Sequence, residues 1–199
     1  AGGLQASAGA TGGYAWLQGE RAVVDLDGGL SRTATSDWTA ILGTAHLALS
    51  WTAEAGRYYA RPMVRADYIY LGEDGRTESG GGEAIDLTIE ERTGQQLAAF
   101  AGLALGATFG DPEGMLWRPE VTAGYRALTG DGAGATTARF VSGGPAFSLD
   151  APELDDGAMV VRLGVRGLSR HFDLALEGGG ELRGDYQAYD ARVTARLAF

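Results

Sequence analysis

The 199-residue sequence predicts an all-β protein, an antiparallel transmembrane β-barrel of the outer-membrane type with about nine strands visible. Three observations predict it. Apolar and polar residues alternate with period two through most of the chain, which builds strands with one greasy and one wet face. The alternating segments run roughly 10–15 residues, where a globular strand averages about 5–6 and a membrane strand needs about 9–11. Short turns alternate with long loops, the arrangement of outer-membrane barrels.

The elements follow in order. Residues 4–16 place Leu4, Ala6, Ala8, Ala10, Tyr14 and Trp16 on one face, against Gln5, Ser7 and Thr11. A short turn is expected at 18–20. Residues 21–31 place Ala22, Val24, Leu26 and Leu30 opposite Arg21, Asp25, Asp27 and Ser31, with a loop at 32–37 after them. Over 40–54, Ile41, Ala45, Leu47, Leu49 and Trp51 oppose Thr44, His46, Ser50 and Glu54. Over 58–71, Tyr58, Ala60, Val64, Ala66, Tyr68 and Tyr70 oppose Arg61, Arg65 and Asp67. A long loop at 72–95 follows. Residues 96–109 set Leu97, Ala99, Ala101, Leu103, Leu105 and Phe109 against Gln96 and Thr108, and 117–127 set Trp117, Val121, Ala123 and Tyr125 against Arg118, Glu120 and Arg126.

After a second long loop at 129–156, Met159, Val161, Leu163 and Val165 oppose Arg162 and Arg166. Phe172, Leu174 and Leu176 oppose Asp173, Glu177 and Glu181. The chain closes on YDARVTARLAF, where Tyr189, Ala191, Val193, Ala195, Leu197 and Phe199 alternate with Asp190, Arg192, Thr194 and Arg196. Short turns are expected at 53–57, 110–115 and 168–171.

By this parity Arg61, Arg65, Asp67, Arg118, Glu120, Arg126, Arg162, Arg166, Glu177, Arg192 and Arg196 all point inward, as a polar lattice lining a lumen. The opposite face is clear of charge over the same length. In lipid that is required, because a basic side chain at mid-bilayer costs about 2–4 kcal/mol. Aromatic residues sort into two belts on the apolar face. Trp16, Trp51, Tyr58, Phe109, Trp117, Phe172 and Phe199 fall near short turns, and Tyr68, Tyr70, Tyr125 and Tyr189 near long loops. Amphipathic rings settle at the two membrane interfaces in this way. Trp38 and Phe100 break the rule and point inward.

Composition narrows the rest. There is no cysteine, so no disulfide scaffold. All 16 basic residues are arginine, and the net charge is −10, which disfavours nucleic acid as a partner. No run of about 18 apolar residues exists for a membrane helix. The start, AGGLQASAGATGG, has no basic region followed by an apolar core, so a mature chain or one beginning mid-protein is expected.

Candidate chemistry is sparse. Ser169, His171 and Asp173 share one strand face, but a catalytic reading needs an oriented base in a shaped, dry site. The residues TGDGAG at 129–134 lack the closing glutamate of a calcium loop and read as a surface turn. The acidic run 73–91 reads as a solvated loop before a site for divalent ions. No catalytic residue, metal site or cofactor is assigned.

Four stretches together resemble the C-terminal β-domain of autotransporters, the translocators of type V secretion. They are YYARPMVRADYIYLGEDGRTESGGGEAIDLTIE with its E-S-G motif, RPEVTAGYRAL, FVSGGPAFSLDAPELDDGAMVVRLGV, and the terminal ARVTARLAF. The resemblance implies a Gram-negative outer-membrane barrel of about twelve strands, a lumenal helix, and an N-terminal passenger carried to the cell surface. It implies a single translocator domain over 1–199 lacking its leading strands and linker helix. It also implies that the last strand, with Tyr189, Val193, Ala195, Leu197 and Phe199, is the signal read by the barrel-assembly machinery. Expected partners are outer-membrane lipid and lipopolysaccharide, that machinery, and the chain's own passenger or linker. The alternatives are a stand-alone porin or adhesin barrel with binding loops, and an outer-membrane hydrolase.

Overall fold

The computed structural model describes residues 3–24, 29, 31–111, 114–132, 134–150, 156–184 and 186–197. Leu26, Leu30 and Phe199 lie outside the described residues. Eight long strands form one antiparallel meander: β1 (Gly3–Val24), β2 (Ser31–Ala55), β3 (Tyr58–Glu73), β6 (Arg92–Ala107), β8 (Met115–Thr129), β11 (Gly157–Ser169), β12 (Phe172–Arg183) and β13 (Tyr186–Leu197). The two-residue β7 (Phe109–Gly110) adds to β8. Four short strands form a second sheet in the order β10-β9-β5-β4: β4 (Arg76–Thr77), β5 (Leu87–Ile89), β9 (Thr136–Phe140) and β10 (Phe147–Leu149).

Among the described residues the main sheet holds nine strands, but not the nine expected. Residues 4–16 and 21–31 were expected as two strands around a turn at 18–20. They are one strand, β1, paired residue by residue with β2 from Gly3↔Thr52 to Val24↔Ser31. The expected loop at 32–37 is the outer end of β2. The ninth strand is β7. Gly19 is a strand glycine beneath a ring, since a Cβ on it would lie 3.1 Å from the Trp38 ring. At about 3.3 Å per residue, β1 runs roughly 70 Å, against an apolar band about 25 Å tall. Even tilted, the β1–β2 ribbon stands beyond the hydrocarbon, which is where Gln18 and Glu20 occupy positions of apolar parity. The same correction moves Trp16. It pairs with Thr39, toward the long-loop end, and touches Tyr14 edge-on at 4.8 Å.

Proline is accommodated locally. The β2–β3 ladder pairs Ser50 with Met63 and Ala53 with Ala60, and it skips the two positions between, where Pro62 has no N–H to give.

The sheet is curled. Gln5 on β1, Glu120 on β8 and Glu177 on β12 line one cavity of about 390 Å³. The convex face is the greasy one: Trp16, Val64, Leu103, Val121, Leu163 and Val193 are all exposed on it. The concave face buries small residues, among them Ala34, Ala40, Ala104, Ala158 and Val160. Among the described residues no large side chain is fully buried. A soluble protein has the reverse arrangement. Among the described residues no helix is long and apolar enough to cross a membrane.

Candidate functional site

The concave face and the small sheet at its outer end hold the polar residues that are brought together. On the concave face the ion pairs reach across strands. Arg61 on β3 donates to both oxygens of Glu120 on β8 at 2.7 Å, passing over β6, and Tyr59 Oη donates to the same carboxylate at 2.8 Å. Arg126 on β8 meets Glu181 on β12 at 2.5 Å, passing over β11. Arg162 on β11 forks onto Asp190 on β13, both bonds at 3.0 Å, passing over β12. Arg166 pairs with Asp173 on the adjacent strand, and Arg65 with Asp67 two residues along its own strand at 2.6 Å.

Two of these crossings pass over a strand that carries almost nothing on its inner face, while Arg126 crosses β11 over Ala158 and Val160. Ala104 lies opposite Arg61, and Gly106 opposite Glu120. Gly179 lies between Arg162 and Asp190, and a Cβ there would stand 2.7 Å from Arg162 Cγ. The planar guanidinium fork suits such two-oxygen bridges. Arg118 has no carboxylate partner among the described residues; its guanidinium carbon sits 5.0 Å from the Tyr59 ring. Glu177 stands opposite Arg192, and Asp173 opposite Arg196. A cavity of about 790 Å³ is lined by Arg61, Arg65, Phe100, Glu120, Arg126 and Arg162.

The two aromatics expected to point inward, Phe100 and Trp38, each meet glycine, as does Tyr59 over Gly106. Phe100 lies over Gly102 and Gly124, where added Cβ atoms would both stand 2.5 Å from its Cζ. Trp38 covers Gly19 and carries the Arg76 guanidinium 3.9 Å from its ring centroid. Of the residues assigned to aromatic belts, Trp16, Trp51, Tyr58, Tyr68, Phe109, Trp117 and Tyr125 are exposed on the convex face, and Tyr70 and Phe172 are half-buried.

The long connections carry short paired strands. β5 pairs with β9, Leu87 opposite Phe140, so residues 74–91 and 134–150 fold as one cap. Ser79 and Thr35 of β2 exchange both backbone bonds, at 2.8 and 2.9 Å. Glu78, only 7% exposed, receives Arg21 Nε at 3.0 Å and Nη2 at 2.5 Å, and its Oε2 also accepts the Leu87 N–H at 3.0 Å. Arg21 Nη2 reaches the Ile85 carbonyl as well, at 2.8 Å. Buried Asp86 accepts the N–H groups of Gly81 and Gly82. Arg21 and its register partner Ala34 are on the concave face, so the cap lies over that face at its outer end.

The hydrogen bond from Arg21, then that from Leu87, holds the Glu78 carboxyl below its ordinary range, against an opposing effect of burial. The acidic run therefore spends Glu78 and Asp86 inside the cap, and no cluster of three metal-ligating side chains occurs among the described residues. Within TGDGAG, Gly130, Gly132 and Gly134 have positive φ.

The possible hydrolase cluster does not assemble. Ser169 Oγ accepts the backbone N–H groups of His171 and Phe172, and the Asp173 carboxylate is taken by Arg166, so neither orients the His171 ring. Alternation alone missed Tyr59, Arg21, Glu78, Glu181 and Asp190 as site residues. Their parity was legible, but partners two strands or a loop away were not.

Among curated proteins none matches the chain. Residues 1–179 match the family model described as Autotransporter beta-domain, a match that ends before β13. An apolar convex face, a charge-lined concave face and this match over most of the sequence agree: the chain belongs to the autotransporter β-domain family, outer-membrane β-barrel translocators of Gram-negative bacteria.

Proposed function

We propose that the chain anchors a passenger in the outer membrane and serves its export to the cell surface. Family membership over residues 1–179 carries this reading. The concave ion-pair lattice supports it. Arg61, Arg126 and Arg162 are held by carboxylates, so a polar segment can move past them without meeting a bare charge. Arg65, Asp67, Arg118, Glu120, Arg166, Glu177, Arg192 and Arg196 complete the proposed conduit wall. The exposed rings on the convex face are the proposed interfacial belts, and lipopolysaccharide is the proposed neighbour of the cap. Both outer strands have one open edge among the described residues, and in hydrocarbon such edges need partners.

The test uses the full gene product with an epitope placed upstream of Ala1. Protease added to intact cells is expected to remove the epitope. If the barrel reaches the outer membrane while the epitope stays protected, export is refuted. We also propose that the last strand, with Tyr189, Val193, Ala195, Leu197 and Phe199, is read by the barrel-assembly machinery. Deleting Phe199 is then expected to lower the heat-resistant, detergent-folded form in membranes; normal insertion of the truncated protein refutes that role.

A further inference from the structure

The convex face carries a cation that the strand pattern does not require. Arg57 sits in the tight turn between β2 and β3, beside Gly56, whose φ of 62° favours glycine. Its carbonyl accepts the Thr108 N–H at 2.8 Å, which ties this turn to the end of β6. The side chain does not follow inward parity. Its guanidinium carbon lies 4.9 Å from the Tyr58 ring centroid and 5.2 Å from that of Phe109. Nη2 donates to Tyr58 Oη at 2.7 Å. Both rings are exposed on the apolar face, and Phe109 stands opposite Trp117.

Arg57 is itself exposed, and no carboxylate pairs with it among the described residues. Of the five N–H donors that a guanidinium carries, Tyr58 takes one. A full charge with unused donors is therefore held between two rings at the water edge of the hydrocarbon. The short-turn side of an outer-membrane barrel faces the periplasm, and the leaflet there is built of glycerophospholipid. The planar fork matches a phosphate oxygen pair.

We propose that Arg57, Tyr58 and Phe109 form a binding site for the phosphodiester of an anionic glycerophospholipid. The rings fix the guanidinium at headgroup depth and pack beside the glycerol and upper acyl chain. The site depends on the membrane location of the chain and is independent of passenger export.

Native mass spectrometry of the full gene product in dodecyl maltoside tests this, with dioleoyl phosphatidylglycerol, dioleoyl phosphatidylcholine or inorganic phosphate added. The wild type is expected to retain one phosphatidylglycerol on the order of tenfold more tightly than Arg57→Ala, the scale of a charge-assisted hydrogen bond. Arg57→Lys is expected to recover part of it, and Arg170→Ala, in the exposed turn between β11 and β12, to match the wild type. A circular dichroism spectrum and heat-shifted gel band confirm that each variant is folded. Equal retention by wild type and Arg57→Ala, an equal loss in Arg170→Ala, or competition by inorganic phosphate at matched concentration overturns the proposal.

Discussion

Replacing Glu78 by alanine removes the anion that fastens the cap to the sheet. The wild-type carboxylate is buried and meets Arg21 through two nitrogens and the Leu87 N–H. Stripping one partner from a fully buried pair costs about 3–5 kcal/mol. Arg21 is 38% exposed, so water recovers much of its charge, and an exposed pair is worth only about 0–1 kcal/mol. The orphaned Leu87 N–H adds about 1–3 kcal/mol if it stays dry. A local loss of about 2–3 kcal/mol follows.

Hydrogen exchange reads this directly. The Thr35 and Ser79 amides bond across the cap–sheet junction without touching the altered side chain. They are expected to exchange on the order of 30–150-fold faster in Glu78→Ala, while Val161 in β11 stays unchanged. Glu78→Gln keeps an acceptor for Leu87 and is expected to lose only about 1 kcal/mol.

The pH dependence has a definite sign. A carboxyl held below its ordinary value of 4.5 stabilises the cap above that value, and the contribution fades as pH falls through the lowered one. Junction amides are expected to keep their protection, corrected for intrinsic rates, between pH 7 and 5.5 and to lose it below about 4.5. Glu78→Gln has no such acid step. Unchanged Thr35 and Ser79 rates in Glu78→Ala refute the latch, however well the variant folds.

Two further outcomes follow from the same surfaces. Gly124→Val is expected to destabilise the barrel by about 2–3 kcal/mol, since overpacking of this kind is costly. The Phe100 ring could swing away, but the Ala101 carbonyl, 2.6 Å from the new Cβ, cannot; a gel-shift midpoint no lower than wild type argues against this close approach of Gly124 to the β6 backbone. Leu163 is 64% exposed, and on a soluble sheet Leu163→Arg is near neutral. In the membrane it is expected to cost about 2–4 kcal/mol, read as a lower urea midpoint in lipid vesicles, and no change there removes hydrocarbon from the convex face.

How much of this was legible in the sequence depends on the range of the interaction. Alternation is a property of neighbouring residues, so β3, β6, β8, β11, β12 and β13 could be read one strand at a time. The phase also runs unbroken from Leu4 to Val24, which is the signal that 18–20 is not a turn. Gln18, Gly19 and Glu20 obscured it, because polar residues around a glycine look the same in a turn as in a strand that has left the membrane. The cap was hidden for a different reason. Its strands are two to five residues long, and Leu87 finds Phe140 across more than fifty residues. Nothing local distinguishes them from loop.

The concave face joins the two kinds of information. Arg162 announces by parity that it is inside, yet its partner is fixed by register, two strands on, and by Gly179 between them. A glycine there reads locally as a weak strand former; in the sheet it is the gap through which a cation reaches its anion. Small residues and arginines on this face therefore belong to one arrangement. Widening a gap residue strands an arginine, and a stranded arginine in a narrow, membrane-enclosed space costs more than the lost pair, because the carboxylate left behind is unpaired as well. The same logic bears on what can move past the wall: where charges are already matched, as at Arg61, Arg126 and Arg162, the surface is polar but not adhesive. The charge-lined face is thus fixed as much by the residues that carry no charge as by those that do.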